Sequence, residues 1–236
     1  MRIAIIVQAR IHSTRLPRKA LLDICGKTAL ERVVDRCKMV DGADDVVVAC
    51  PFEDELPIYE RTGIPSYPGP EHDLITRLLG AARMTSADKF VRVTADCPLI
   101  DPAVIQRCIN ISCAVDEPVV SNWVKRQYPN GQDCEVYNTR WFAKYAEREL
   151  SMVDREWFAL KMSKEEPVRS VVCPWDASKF RMTLDYVHDL TVIREIQRAM
   201  QEEIWGWERC VQFLRENPKI ANVNAKYEKE VGDDVH

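Results

Sequence analysis

The stretch Ile3-Ala4-Ile5-Ile6-Val7 is an apolar run with no polar alternation, and this restricts the fold more than any other feature of the chain. A strand with one wet face shows a polar side chain at every second position. A run without them suits a strand covered on both faces, as in the parallel sheets of α/β proteins. Val46-Val47-Val48-Ala49-Cys50 and Lys89-Phe90-Val91-Arg92-Val93-Thr94 read as two more central strands. Between the first two, Thr28 followed by Glu31 forms a capping-box signature. Apolar positions 29, 30, 33, 34, 37 and 40 then recur at helical spacing, which predicts a helix over 28–40 with one face on the sheet. Strand, helix, strand is the parallel crossover unit.

The remaining segments extend this α/β pattern. Residues 54–62 suit a short helix, Gly63-Ile64-Pro65 leads into a third, weaker strand, and Tyr67-Pro68-Gly69-Pro70-Glu71-His72-Asp73 is turn-forming and ends in an N-cap candidate. The helix after Asp73 turns Leu74, Ile75, Leu78, Leu79 and Ala82 inward, with Arg77 off that stripe. Asp101-Pro102 is a helix start, an N-cap followed by proline at the first helical position. Residues 119–180 read as short strands and two helices, an annex serving as a lid or a dimerisation arm. Phe180 to Asp185 reads as a strand with Arg181, Thr183 and Asp185 on one face. A helix over 188–200 and a last helix around Trp207, Val211 and Leu214, stopping at Asn217-Pro218, complete one domain over 1–220. A tail follows over 221–236, frayed from Glu228.

With 236 residues, 46% of them hydrophobic, the chain has ample material for one sizeable core. A net charge of -4 and a pI near 5.7 argue against a broad nucleic-acid-binding face and leave room for one local basic pocket. No run of eighteen apolar residues and no signal-peptide pattern occurs, so the expectation is a cytoplasmic protein with no membrane partner. The nine cysteines are scattered without a C-x-x-C pair, which suits buried free thiols; Cys97, beside the carboxylate of Asp96, is the thiol placed to touch a site.

That pocket follows the first strand directly. Arg10, Arg15, Arg18 and Lys19, with His12, Ser13 and Thr14, crowd the loop just past its carboxyl end, the edge at which open α/β sheets bind ligands. Clustered Arg and Lys there suit a polyphosphate. Known phosphate motifs fail on spacing. Gly26-Lys27-Thr28 ends like a P-loop, yet Leu21 stands where the motif needs its first glycine. No two glycines lie two apart, which removes the dinucleotide fingerprint, and no two aspartates do, which removes the D-x-D metal signature. What remains besides the loop is a pair of isolated strand-end carboxylates, Asp96 and Asp185. Such hard oxygens are usual protein ligands of Mg²⁺, which one or two carboxylates hold together with water and phosphate oxygens.

Arg10-x-x-Ser13-Thr14-Arg15-Leu16-Pro17-x-Lys19, the stretch Asp96-Cys97-Pro98-Leu99-Ile100-Asp101, and Leu184-Asp185 together resemble the cytidylyltransferases that activate acidic sugars. The nearest branch is the spore coat polysaccharide biosynthesis protein F-like group, related to the CMP-Kdo and CMP-sialic acid synthetases. The resemblance runs from Met1 to about Met200. It implies a Rossmann-like, mixed but mostly parallel sheet of the nucleotide-diphospho-sugar transferase type. It also implies transfer of CMP from CTP to an acidic sugar with release of pyrophosphate, in surface polysaccharide biosynthesis, with Mg²⁺ as cofactor and a homodimer as the assembly. By position, Arg10, Ser13, Arg15 and Lys19 hold the triphosphate, Asp96 and Asp185 bind metal, and Arg10, Arg15, Lys19 and Asp96 carry the catalysis. Gln8, Ala9, Asp73 and Arg77 lie near base and ribose. Asn122, Gln132, Asp133, Glu135 and Arg155 face the acceptor, on the Tyr128–Glu135 loop and near the Asp154-Arg155-Glu156 triplet. His12 and Arg18 stand where such loops usually carry glycine, and Trp157 stands where a histidine commonly follows the triplet.

Two other classes stay open on the sequence: a non-catalytic nucleotide-binding relative, and a glycosyltransferase of related fold, the latter disfavoured by the missing D-x-D.

Overall fold

The computed structural model describes residues 1–201 and 203–230. Its centre is a seven-stranded sheet built from β1 (Ile3–Gln8), β4 (Asp45–Pro51), β5 (Ser66–Gly69), β6 (Lys89–Thr94), β7 (Val119–Ser121), β8 (Cys134–Asn138) and β9 (Val168–Ser170), in the order β5-β4-β1-β6-β8-β7-β9. A two-stranded hairpin, β2 (Asp23–Ile24) with β3 (Lys27–Thr28), lies apart from it. β1 pairs in parallel with both β4 and β6, while β8 runs antiparallel to β6 and β7. The unalternating run of β1 is explained by its burial: Ala4, Ile5, Ile6 and Val7 are fully inaccessible.

Helices cover both faces. Ile3, Ile5 and Val7 pack in the layer that holds α1 (Ala29–Cys37), α4 (Pro102–Ala114), α8 (Val187–Met200) and α9 (Trp207–Glu216). Ile6 and Phe90 face the other layer, with α3 (Leu74–Met84), α5 (Thr139–Ala146) and α7 (Phe158–Glu165). In that layer Phe90, Tyr137, Phe142 and Phe158 form an aromatic cluster with ring centroids 5.0 to 5.8 Å apart. Each such ring buries a large apolar area; Phe90 and Tyr137 stack, and the other pairs meet tilted or edge-to-face. The shorter α2 (Glu55–Thr62), α6 (Met152–Glu156) and α10 (Pro218–Ala221) complete the set.

Caps fall where the sequence places them. Thr28 and Glu31 close a reciprocal box at α1, Asp73 accepts from Thr76 at α3, and Asp101 accepts from Ala103 with proline at the first turn of α4. Several boundaries differ. Tyr67-Pro68-Gly69 is strand, not turn, because β5 is an edge strand, where a proline without an N–H costs no interior ladder bond. Residues 119–180 carry three helices rather than two, and they supply β7, β8 and β9 to the central sheet. α10 continues past Asn217-Pro218. The backbone of 225–230 forms a 3-10 turn, and residues 231–236 of the expected frayed tail lie outside the described residues.

The largest difference concerns Phe180–Asp185. It is an extended segment outside the sheet, joined to Asn130 through an isolated bridge with Arg181. The Asn130 amide donates to Phe180 O at 2.9 Å, the Met182 amide to Asn130 O at 2.7 Å, and the Leu184 amide to Asp96 O at 2.8 Å. Alternation is present, but its partner is a loop. Gly131 makes this possible: at φ +100° it sits so close that a Cβ would fall 2.5 Å from the Met182 carbonyl carbon. Both the dihedral and the contact exclude a side chain. Gly131→Ala is therefore expected to cost upwards of about 2 kcal/mol. Gly42→Ala, also at positive φ but with only Gln106 Nε2 at 4.0 Å in reach, should cost about 1 kcal/mol. Urea denaturation of the two variants checks the difference.

Candidate active site

The parallel strands end in register, with Gln8 opposite both Ala49 and Thr94, so the loops leaving β1, β4 and β6 open on one edge. Because β8 runs the other way, its first residue, Cys134, lies opposite Val93. The loop over 128–133 therefore reaches the same edge from the opposite direction. Here the basic loop folds back on itself: the Arg18 amide donates to Ile11 O at 3.1 Å, and the Ile11 amide to buried Asp54 at 2.7 Å. Arg18 has φ 58°, a left-handed conformation that glycine adopts without cost. Arginine adopts it here all the same, and its amide bond to Ile11 O closes the loop. Arg10, Ser13, Arg15 and Lys19, with Glu71 and Trp157, line an open cavity of about 530 Å³.

Lys19 is the centre of this site. Its Nζ lies 2.5 Å from Asp96 Oδ2 and 2.7 Å from Asp185 Oδ1, so two carboxylates far apart in sequence, one in the turn after β6 and one in the extended segment before α8, converge on one ammonium. The Thr94 hydroxyl donates to the other oxygen of Asp96, and Arg15 reaches Asp185 Oδ1 at 3.4 Å. Burial pulls the Lys19 ammonium toward neutrality, but Asp96 and Asp185 outweigh it and hold its pKa above the ordinary value. Burial likewise disfavours the Asp96 carboxylate, and Lys19 and Thr94 overcome it, bringing its pKa down to about 2. Both groups are charged at neutral pH.

Asp185 is supported from beneath. Arg181 Nη2 contacts Asp185 Oδ2 at 3.0 Å and, with Nε, grips Asp189 at 3.0 and 2.8 Å. Asp189 is fully buried, and its Oδ2 also accepts the Asp185 and Tyr186 amides, each at 2.9 Å. A buried carboxylate is tolerated only when paired and hydrogen-bonded, and Asp189 meets both conditions.

Most other residues singled out in the sequence border the crevice. Arg10 pairs with Glu156 at 3.3 Å, and Asp73 with Arg155 at 2.8 Å, so α6 is tied to the basic loop and to the start of α3. Arg77 does not point away from the helix's buried face: it is 2% exposed, and its guanidinium donates to Pro70 O and Glu71 O at 2.6 and 3.0 Å. Gly69 makes the room, since a Cβ there would lie 2.8 Å from Arg77 Cγ. Arg77 thus shapes the turn over 70–72. Gln8 accepts from Arg92 at 2.8 Å, and Arg92 also pairs with buried Glu135 at 2.8 Å. Burial raises the Glu135 pKa, opposed by Arg92 and by the Trp123 indole. Ala9 continues the sheet ladder, its amide donating to Ala49 O.

The acceptor-side residues divide. Asn122 and Gln132 are buried, and both ends of each amide bind backbone: Asn122 meets Gln132 O and the Cys134 amide, and Gln132 meets Leu99 O and the Asp101 amide. They lock the 128–133 loop to the Asp96–Asp101 turn. Asp133 forms a two-pronged pair with Arg126 at 2.8 and 2.9 Å and is partly exposed. Arg181, Asp189, Thr94 and Tyr186 were not assigned to the site from the sequence. The signal for Asp189 was its place three residues after Tyr186, where it closes the cap of α8.

A crossed-over parallel sheet with a basic loop and converging carboxylates at its carboxyl edge defines a nucleotidyltransferase of the Rossmann-like type. The chain belongs to the cytidylyltransferase family, whose model matches residues 4–201. It is similar to a cytidylyltransferase from Leptospira borgpetersenii of known structure, 25% identical, with TM-score 0.87 over 94% of this chain and 97% of that one. A CMP-2-keto-3-deoxy-manno-octonic acid synthetase solved with CTP superposes with TM-score 0.66 at 19% identity, over 84% of this chain and 99% of that one. The 3-deoxy-manno-octulosonate cytidylyltransferase of Vibrio cholerae is 30% identical over 185 residues, 76% of this chain and 66% of that protein's length.

The lowered pKa of Asp96 has a sign. Its pairing stabilises the fold above the ordinary value of 3.8 and is lost as pH falls toward about 2. Lys19→Met removes the partner and leaves a largely buried carboxylate that takes up its proton at higher pH. The variant's deficit in stability relative to the parent should therefore be largest near neutral pH and shrink on acidification as Asp96 takes up its proton, measured as the difference in Tm between pH 6 and pH 3.

Proposed function

We propose that the protein transfers CMP from CTP to an acidic sugar of the ulosonic or nonulosonic acid type, releasing pyrophosphate, as a step in making surface polysaccharide. The observation that carries this reading is Lys19 between Asp96 and Asp185 beneath the basic loop, in a chain of the cytidylyltransferase family. The 3-deoxy-manno-octulosonate cytidylyltransferase named above supports the acceptor class.

The donor set suits a divalent cation. Two carboxylate oxygens already converge on one positive atom, and hard oxygens are what Mg²⁺ takes. Among the described residues no group of three or more His, Cys, Asp or Glu side chains could hold a metal ion, so phosphate and water oxygens complete the set. Asp96 and Asp185 would hold Mg²⁺, which would supply neutralisation of charge on the triphosphate. Lys19 turns from the carboxylates to the phosphates, while Arg10 and Arg15 hold the β- and γ-phosphates. An acceptor hydroxyl oxygen bonds to the α-phosphorus, the bond to the bridging β-oxygen breaks, and pyrophosphate leaves with that electron pair. The hydroxyl proton passes to solvent. The cationic loop stabilises charge developing on the leaving group, the kind of fixed electrostatics that contributes most to such reactions. Asp133, released from Arg126, and Arg155 face the acceptor.

Pyrophosphate release should require CTP, a ulosonic acid and Mg²⁺ together. Lys19→Ala and Asp96→Asn should each lower kcat by roughly 10²–10³ with the fold intact by circular dichroism. Turnover at the parental rate in Asp96→Asn would refute the assignment of that carboxylate. Equal rates with all four nucleoside triphosphates would refute CTP as the donor.

A further inference from the structure

The family match ends at residue 201, yet the chain beyond it returns to the underside of the site. Asn224 is 3% exposed, and its amide donates to Asp189 Oδ1 at 2.9 Å and to Arg181 O at 3.3 Å. Asp189 and Arg181 are the pair on which Asp185 rests. Three residues on, the Tyr227 ring stacks on Tyr186 with centroids 3.9 Å apart and planes within 4°. Its hydroxyl lies 3.2 Å from His188 Nδ1. Tyr186 in turn carries two guanidinium groups near its ring, Arg15 at 5.2 Å and Arg181 at 5.7 Å. Two separate contacts therefore run from the C-terminal segment to the two ends of the site, one through Asp189 to Asp185 and one through Tyr186 to Arg15.

We propose that Asn224 and Tyr227 are positioning residues for the triphosphate and metal site. Asn224 fixes the Asp189–Arg181 pair so that Asp185 faces Lys19. Tyr227 holds the Tyr186 ring flat beneath Arg15, so that the guanidinium is placed before nucleotide arrives. Physical chemistry favours this division. A buried carboxylate with every acceptor site used has one orientation, whereas loss of a donor leaves it free to pull Arg181 away from Asp185. A stacked ring orients its neighbour at low entropy, and a cation over its face gains further attraction. The nucleotide part of this inference rests on the function proposed above; the positioning part does not.

Two measurements on the full chain test it. Amide hydrogen exchange without nucleotide should speed up at 13–19 and 184–189 in Tyr227→Ala and Asn224→Ala, and stay unchanged in β1 and β6. Tyr227→Phe, which keeps the stack, should match the parent. Equal acceleration in β1 and β6 would mean general loosening and overturn the proposal, as would no change at 184–189. CTP with Mn²⁺, titrated by thermal shift, should bind Tyr227→Ala roughly threefold to thirtyfold more weakly, the span of couplings passed through packed neighbours. Affinity equal to the parent's would overturn the nucleotide part. If the parent itself bound no CTP, the proposed function would fall, and exchange would still decide the positioning. Should Asn224→Ala fail to fold, Tyr227→Ala, at a partly exposed position, carries both measurements.

Discussion

An ammonium held between two carboxylates, Lys19 with Asp96 and Asp185, is the interaction on which the rest of the architecture depends. Neither Lys19 nor Asp96 is fully exposed, and a charge removed from water without a partner would cost several kcal/mol. Asp96 needs the lysine, Asp185 shares it with Arg181 and Arg15, and the lysine needs at least one of the two carboxylates. This mutual requirement makes three distant segments converge: the loop after β1, the turn after β6, and the extended segment before α8. The sheet supplies the common edge. Register between β1, β4 and β6 sets the height at which the loops emerge, and the reversed β8 brings in the 128–133 loop that carries Phe180–Asp185 across the gap.

The same convergence explains the number of ion pairs around the crevice. Arg10 with Glu156 and Arg155 with Asp73 tie α6 to the basic loop and to the start of α3, Arg126 with Asp133 braces the loop between β7 and β8, and Arg92 with Glu135 bridges the paired strands β6 and β8. At the surface such pairs add little stability. Their value is geometric, since a guanidinium gripping a carboxylate with two prongs fixes direction as well as distance. Those pairs open to solvent are also exchangeable. An incoming phosphate or carboxylate would compete for such a cation on equal chemical terms. Pairs deep in the structure, Arg92 with Glu135 and Arg181 with Asp189, have no such freedom and act as fixed supports.

How far the sequence exposed this plan depended on the range of the forces involved. Local rules were legible. The unalternating run of β1, the box at Thr28 and Glu31, the cap at Asp101 and the basic cluster over 10–19 each express a physical cause acting within a few residues, and each stands in the structure as read. Resemblance extended the reading to the fold and the family. What failed was long-range. Arg77 is off the apolar stripe of α3 by residue type, but Gly69 on a neighbouring strand clears a buried slot for it. Phe180–Asp185 alternates as a strand does, yet its partner is a loop, because Gly131 lets the chains approach there instead of at a sheet edge. Asn122 and Gln132 have the composition of ligand-binding amides, but their hydrogen bonds go to backbone. Periodicity records which face is apolar and carries no information about what lies opposite.

Arg18 shows how a side chain can stand where the basic loop's backbone turns left-handed. Glycine takes such a turn without cost, and arginine takes it here at φ 58°. The penalty for a side chain in that region is about 1–2 kcal/mol, of the same order as the net worth of a bond that closes the loop, such as the Arg18 amide to Ile11 O or the Ile11 amide to buried Asp54. The loop's shape is therefore held against that penalty by its backbone hydrogen bonds and by Asp54. Position 157 is of another kind. Trp157 is nearly half exposed and stands in the cavity wall opposite the basic loop, so no backbone requirement explains it. A large flat apolar side chain there shapes the surface of the cavity rather than the path of the chain, whereas the left-handed turn at Arg18 concerns backbone geometry and stability.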